Sequence, residues 1–149
     1  LSKLKDAVGD RVILTAGKMH ASGIISEAGE KILTEKDIVD FIDAGADVIL
    51  LPAPGTVPGI TMEYAGKLIK KAHEKGALAM TTIGTSQEGA DEDTIRQIAL
   101  MCKMAGTDIH HIGDSGYMGM ALPENITAYS VAIRGKLHTY RRMAMSLLR

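Results

Sequence analysis

Four glycines, each followed by an apolar run and a second loop containing glycine, divide the chain into similar units. They open at Gly9 (GDRVILTAGKMHASG), Gly45 (GADVILLPAPGTVPG), Gly76 (GALAMTTIGTSQEG) and Gly106 (GTDIHHIGDSGYMG), spaced 36, 31 and 30 residues apart. That spacing is the length of one βα unit, roughly 30 residues. Each leading glycine stands where a helix should stop, because glycine tolerates the left-handed conformation that ends a helix. The runs RVILTA, DVILLP, ALAMTTI and TDIHHI are mostly continuous apolar stretches rather than strict alternations, as parallel strands buried on both faces require.

Helix starts fill the intervals. Thr34 caps a helix with Asp37 in its first turn, Thr61 precedes one with Tyr64, Leu68, Ile69 and Ala72 on one face, and Asp91 precedes one with Ile95, Ile98, Ala99 and Cys102 in register. Pro123 and Glu124 open the last, whose apolar positions from Ile126 to Leu147 predict a single helix of about six turns running through Gly135. The order is βαβαβαβα after a short helical remnant. It predicts an α/β fold with a parallel sheet and right-handed crossovers. Two architectures fit: half of a (β/α)8 TIM barrel, or a small doubly wound sheet. The regular recurrence favours the half-barrel, over residues 1–149 as one domain. Such a half leaves two sheet edges open, so a homodimer, or pairing with an N-terminal half, is expected. The chain opens on Leu and its first nine residues read as the end of a helix, which predicts that it is a fragment of a longer chain.

Composition narrows the function classes. Lys and Arg total 17 against 18 for Asp and Glu, so no basic excess points to nucleic acid or to an anionic membrane surface. The basic residues of the last helix (Arg134, Lys136, Arg141 and Arg142 among them) lack interleaved aromatics and read as its solvated face. No apolar stretch approaches the ~18 residues of a membrane span, and no signal peptide is evident, so a soluble cytoplasmic protein is expected. The one cysteine, Cys102, reads as a buried core residue.

In a barrel of this kind the chemistry sits in the loops after the strands. The loops Gly84–Thr85–Ser86 and Gly113–Asp114–Ser115–Gly116 combine glycines, which let backbone N–H groups approach an anion, with hydroxyl donors. Gly84, Thr85, Ser86, Gly113, Ser115 and Gly116 are therefore the candidate phosphate-binding residues. Asp114 weighs partly against phosphate by like charge. Lys18 and His20, after the first strand, and Asp114 are the candidate catalytic groups, with Lys18 able to act as an electrophile if buried. His110 and His111 are adjacent on a strand and must face opposite ways. A metal trio of His110, Asp114 and His20 is conceivable without any supporting ligand spacing, and His111 reads as a hydrogen-bonded buried histidine; no metal is assigned, and no cofactor can be named. The string GDSG at 113–116 also surrounds the nucleophile of chymotrypsin-like proteases, but those are β-rich and disulfide-bearing, and the context here excludes the reading.

The stretch from Thr107 to Met143 (TDIHHIGDSGYMGMALPENITAYSVAIRGKLHTYRRM) resembles an uncharacterised family of bacterial barrel proteins. With the three preceding units the resemblance covers nearly the whole chain and corresponds to the C-terminal half of a full-length member. It implies a TIM-type barrel and supplies no catalytic residues. The expected function is an enzyme, a lyase or isomerase, acting on a small phosphorylated or carboxylated metabolite. The alternative is a non-catalytic half-barrel that self-associates and binds no ligand.

Overall fold

The computed structural model describes residues 1–18, 32–84, 87–113 and 121–145. After α1 (Ser2–Val8) come β1 (Thr15–Gly17), α2 (Glu35–Asp43), β2 (Val48–Pro52), α3 (Met62–Glu74), β3 (Leu78–Ile83), α4 (Glu92–Ala105), β4 (Ile109–Ile112), α5 (Pro123–Arg134) and α6 (Lys136–Ala144). The four strands form one parallel sheet in the order β1-β2-β3-β4.

Which face the helices cover decides between the two architectures. Ile49 and Leu51 of β2, and Ala79, Thr81 and Ile83 of β3, are all almost completely buried. Ile49, Leu51 and Ala79 pack with Ile38 of α2 and Leu68, Ile69 and Ala72 of α3, while Ile83 packs with Ile95, Ile98 and Cys102 of α4 and Ala128 and Tyr129 of α5. All four helices therefore lie on one face. A doubly wound sheet carries helices on both. The opposite face holds the register row Gly17, Leu50, Met80 and Ile109, none of them fully buried, with Leu78 49% exposed below it. Sequential strands with α2–α5 outside and an apolar row inside make the sheet part of a (β/α) barrel.

Local chemistry sets the element ends much as the sequence predicts. Thr34 and Asp37 form a reciprocal capping box, and the Thr61 and Asp91 side chains accept from the first-turn N–H groups of α3 and α4. Two expectations are corrected. The first strand begins at Thr15 rather than Arg11: residues 9–11 form a 3-10 turn, and Val12 and Ile13 are 47% and 77% exposed. Its pairing starts only where Leu14 meets Asp47, whose carboxylate and N–H both bond the Leu14 backbone. The last helix is not continuous. Gly135 takes φ 81°, ψ 161°, outside the helical region, and separates α5 from α6.

Candidate functional site

The carboxyl ends of β3 and β4 form the polar part of the described sheet. Thr82 and His111 are register partners on the inner face, one position beyond the apolar row, and Thr82 Oγ1 lies 3.0 Å from His111 Nδ1. Alternation along the strand sends its neighbour His110 outward, where burial, then the charge of Arg134, holds the ring below the usual histidine pKa. His110 Nδ1 sits 2.9 Å from the Tyr129 hydroxyl, in an edge-on ring contact. This corrects the expectation for His111, which is hydrogen-bonded but exposed on the inner face rather than buried; the half-buried histidine is His110. Its conceivable metal partners, His20 and Asp114, lie outside the described residues. Asp108 is spent at the opposite end of β4, where its carboxylate accepts from the Ala79 N–H at 2.8 Å and lies 2.7 Å from His73 Nε2. Among the described residues no group of three metal-ligating side chains converges.

Beyond Thr82 and His111 the strands end in the two glycines picked out from the sequence. Ile83 pairs with Ile112, so Gly84 and Gly113 leave the sheet side by side. Their surroundings differ. A Cβ on Gly84 would meet only Thr82 Oγ1, at 3.9 Å. One on Gly113 would run into the Ile83 carbonyl oxygen and stand 3.3 Å from the Glu88 carboxyl carbon. Glycine is thus required at 113 by close approach of the backbone, and at 84 it leaves the backbone open.

Glu88 is the residue of this site that the sequence reading passed over. It lies in the 3-10 turn Gln87–Gly89 after β3, is only 5% exposed, and its Oε2 meets no hydrogen-bond donor among the described residues. The turn is pinned from α5: buried Asn125 donates through Nδ2 to the carbonyls of Glu88 and Ala90, both at 2.8 Å. The only sequence signal was an acidic residue in a loop following a strand.

Lys18 follows β1, half-buried. It lies near enough to Asp37 to act on it: burial pushes that carboxyl up, but the Thr34 hydroxyl and N–H, then Lys18 and Lys36, hold it net below the usual range. Lys18 is separated from β3 by β2, roughly 10 Å across the sheet at ~4.8 Å per strand. His20, Thr85, Ser86, Asp114, Ser115 and Gly116 lie outside the described residues. The loop after β2 borders a cavity of about 700 Å³ that Gln87 and Met101 also line. Cys102 is buried beside Tyr129, and burial raises its thiol pKa, which suits a core residue. No helix among the described residues is long and apolar enough to cross a membrane.

The whole chain, residues 1–149, matches the profile of a family described as "Domain of unknown function (DUF7916)". The "Putative N-acetylmannosamine-6-phosphate 2-epimerase" of Haemophilus influenzae is 37% identical over 89 residues, 60% of this chain and 33% of that protein. The protein of the same description from Actinobacillus pleuropneumoniae serotype 5b is 36% identical over 88 residues, 59% and 33% of the two chains. The match thus spans about a third of the length of these curated relatives. Among solved structures, a tetrameric deoxyribose phosphate aldolase from Aeropyrum pernix superposes with a TM-score of 0.63 at 16% identity, over 89% of this chain and 54% of that one. At that identity the likeness bears on the fold, and it agrees with a partial (β/α) barrel.

Proposed function

The chain belongs to the family described as domain of unknown function DUF7916, and we propose that it serves in a barrel enzyme of the lyase or isomerase class acting on a small phosphorylated or carboxylated metabolite. The observation that carries this reading is the gathering of Thr82, His111, Gly84, Gly113 and Glu88 at the carboxyl ends of two adjacent strands, above an inner face whose central row is apolar. That end is where barrel enzymes place their chemistry, and loops late in the barrel often bind phosphate there. The names of the relatives support the same class: a phosphorylated-sugar epimerase at 37% identity and, by fold alone, a phosphate aldolase.

In this reading Gly84, Thr85, Ser86, Gly113, Ser115 and Gly116 hold the anionic group through backbone N–H groups and hydroxyls. Lys18, His20 and Asp114 supply the acid, base or electrophile from the other strand ends, and His111, steadied by Thr82, is a further proton carrier. No cofactor is assigned. The half-buried apolar row Leu50, Met80 and Ile109 is completed by a second copy of the chain or by further βα units, which closes the barrel and dries the site.

Binding of phosphorylated ligands to the wild type, to Lys18→Ala and to Ser115→Ala, followed by calorimetry, tests the reading. Saturable binding that weakens by tenfold or more in Ser115→Ala supports it. Affinities unchanged in both variants, or no binding with self-association intact, favour the non-catalytic half-barrel.

A further inference from the structure

The two open edges of the sheet fit each other. On the β1 side the chain is extended before its pairing with β2 begins: Val12 takes φ -139°, ψ 153°. Ile13, in step with Thr15 and Gly17 on the inner face, is 77% exposed. Leu14 turns its backbone towards β2, where its carbonyl accepts from Asp47 and Val48. Alternation therefore points the N–H and C=O of Ile13 and Thr15 to the open edge. On the other side β4 presents the edge Ile109–Ile112. Apolar exposure gathers at the same two ends, with Val12 and Ile13 exposed at one and Leu122, Ile126 and Leu137 at the other. Open edges of this kind are templates for another strand.

Four parallel strands are half of the eight that close a barrel. A second copy supplies the other half by a two-fold rotation about the barrel axis, with β4 of each copy beside β1 of the other. The stagger of such a barrel fixes the register. Its strands lean so that the row Gly17, Leu50, Met80 and Ile109 descends; a full circuit drops by about eight residues, and each identical half by about four. Crossing the seam from Ile109 thus arrives about four residues before Gly17, at the partner's Ile13. The two isoleucines then meet on the inner face. The segment that reads as strand from Arg11 onwards, and that one copy leaves exposed, gains its pairing. Outside the sheet α5 and α6 come beside α2 of the partner. After Glu124 the first two carry Arg134, Lys136, Arg141 and Arg142 and no carboxylate, while α2 carries Glu35, Asp37, Asp40 and Asp43 against Lys36 alone. The charges are complementary.

Resting on the reading of the strand ends as an anion site, we propose that two copies of this chain close one barrel through this seam and that each mouth is shared, with Thr82 and His111 from one copy and Lys18 from the other. Within one copy β1 stands three strand spacings from β4, roughly 14 Å at ~4.8 Å each. Across the seam it stands one spacing away. The partner's Gly17 lies beside Gly113, and the partner's Lys18 follows it into the mouth that His111 faces.

Sedimentation of the wild type, Ile13→Asp and Leu100→Asp tests the seam; Leu100 is exposed on α4, away from both edges. The wild type and Leu100→Asp should be dimers. Ile13→Asp, at a position that one copy leaves uncovered, should weaken association by tenfold or more. Ile13→Cys mixed with Ile109→Cys should be joined by a short bismaleimide, and neither variant alone should be. The shared mouth is tested by titrating inorganic phosphate into Lys18→Ala, His111→Ala and their mixture. Each variant alone should bind tenfold or more weakly, and the mixed dimer, which keeps one intact mouth, should regain wild-type affinity at a fraction of its sites. A monomeric wild type, a dimer indifferent to Ile13→Asp, or no link between positions 13 and 109 would overturn the seam and leave the anion reading standing. A linked dimer whose mixture regains no affinity would overturn the sharing of the mouth. A wild-type dimer that binds no phosphate would overturn the anion reading and the shared mouth together.

Discussion

Asn125 of α5 holds the turn that carries Glu88: one amide group, 2% exposed, donates to the carbonyls of both Glu88 and Ala90 at 2.8 Å. The turn after β3 is therefore fixed by the helix after β4.

Replacing Asn125 by alanine leaves two backbone carbonyls without their side-chain donor. The expected loss is about 1–3 kcal/mol of stability, the cost of stranding buried acceptors. Chemical denaturation measures it. Loss of ligand affinity should accompany it, since the turn is freed, while a variant as stable as wild type would show that the turn is held by other contacts.

The two strand-end glycines should respond differently to the same change. Gly113→Ala drives a methyl group into the Ile83 carbonyl and towards Glu88, an overpacking expected to cost about 1–3 kcal/mol. Gly84→Ala meets open space and should change stability by less than about 0.5 kcal/mol, the usual range for a surface substitution. Any loss of anion binding in Gly84→Ala then reports close backbone approach by the ligand. Denaturant midpoints of the two variants, set beside their phosphate affinities, separate the effects.

The protein should lose stability as pH falls through the histidine range. Burial and the charge of Arg134 lower the folded-state pKa of His110 below its ordinary 6.5. The unfolded chain therefore binds a proton at this site where the folded one does not. The contribution is fully present above about 6.5 and is lost as pH falls from there through the depressed folded value. Urea melts between pH 8 and pH 5 should show the decline, and His110→Gln should flatten it. An unchanged slope in that variant would assign the effect elsewhere.

Thr82→Val keeps shape and removes the hydroxyl next to His111 Nδ1. Because the pair faces the open inner side of the sheet, the expected stability loss is at the low end for a hydrogen bond, about 0.5 kcal/mol. The ring resonances of His111 should shift while those of His110, on the other face, stay in place. Movement of both sets would mean that the substitution distorts β3 itself.

Much of this architecture is legible in the residues. The glycine spacing marks the units, and Thr34, Thr61 and Asp91 cap the helices they were read to cap. The even apolar runs imply burial on both faces, although here the inner row is left half-open. Which histidine faces the mouth is not readable from IHHI, because alternation separates the two without saying which points inward; the packing of Tyr129 on the outer face decides it. The break at Gly135 was hidden because the apolar period continues past it while a single positive φ does not. Glu88 was hidden because a loop glutamate is ordinarily solvated, and its burial depends on Asn125, 37 residues away in sequence. His20 and the loops at 85–86 and 114–116 lie outside the described residues, so their part in the site rests on the sequence pattern.

The most direct test of the account is an amide NMR titration of the protein with inorganic phosphate and a set of sugar phosphates. The account predicts saturable shifts confined to residues 84–89 and 113–116, with His111 ring signals moving in step, and their loss in Gly84→Ala. A well-dispersed spectrum that ignores every phosphate, or shifts scattered over the lysine-bearing helices, would contradict an anion site at the ends of β3 and β4.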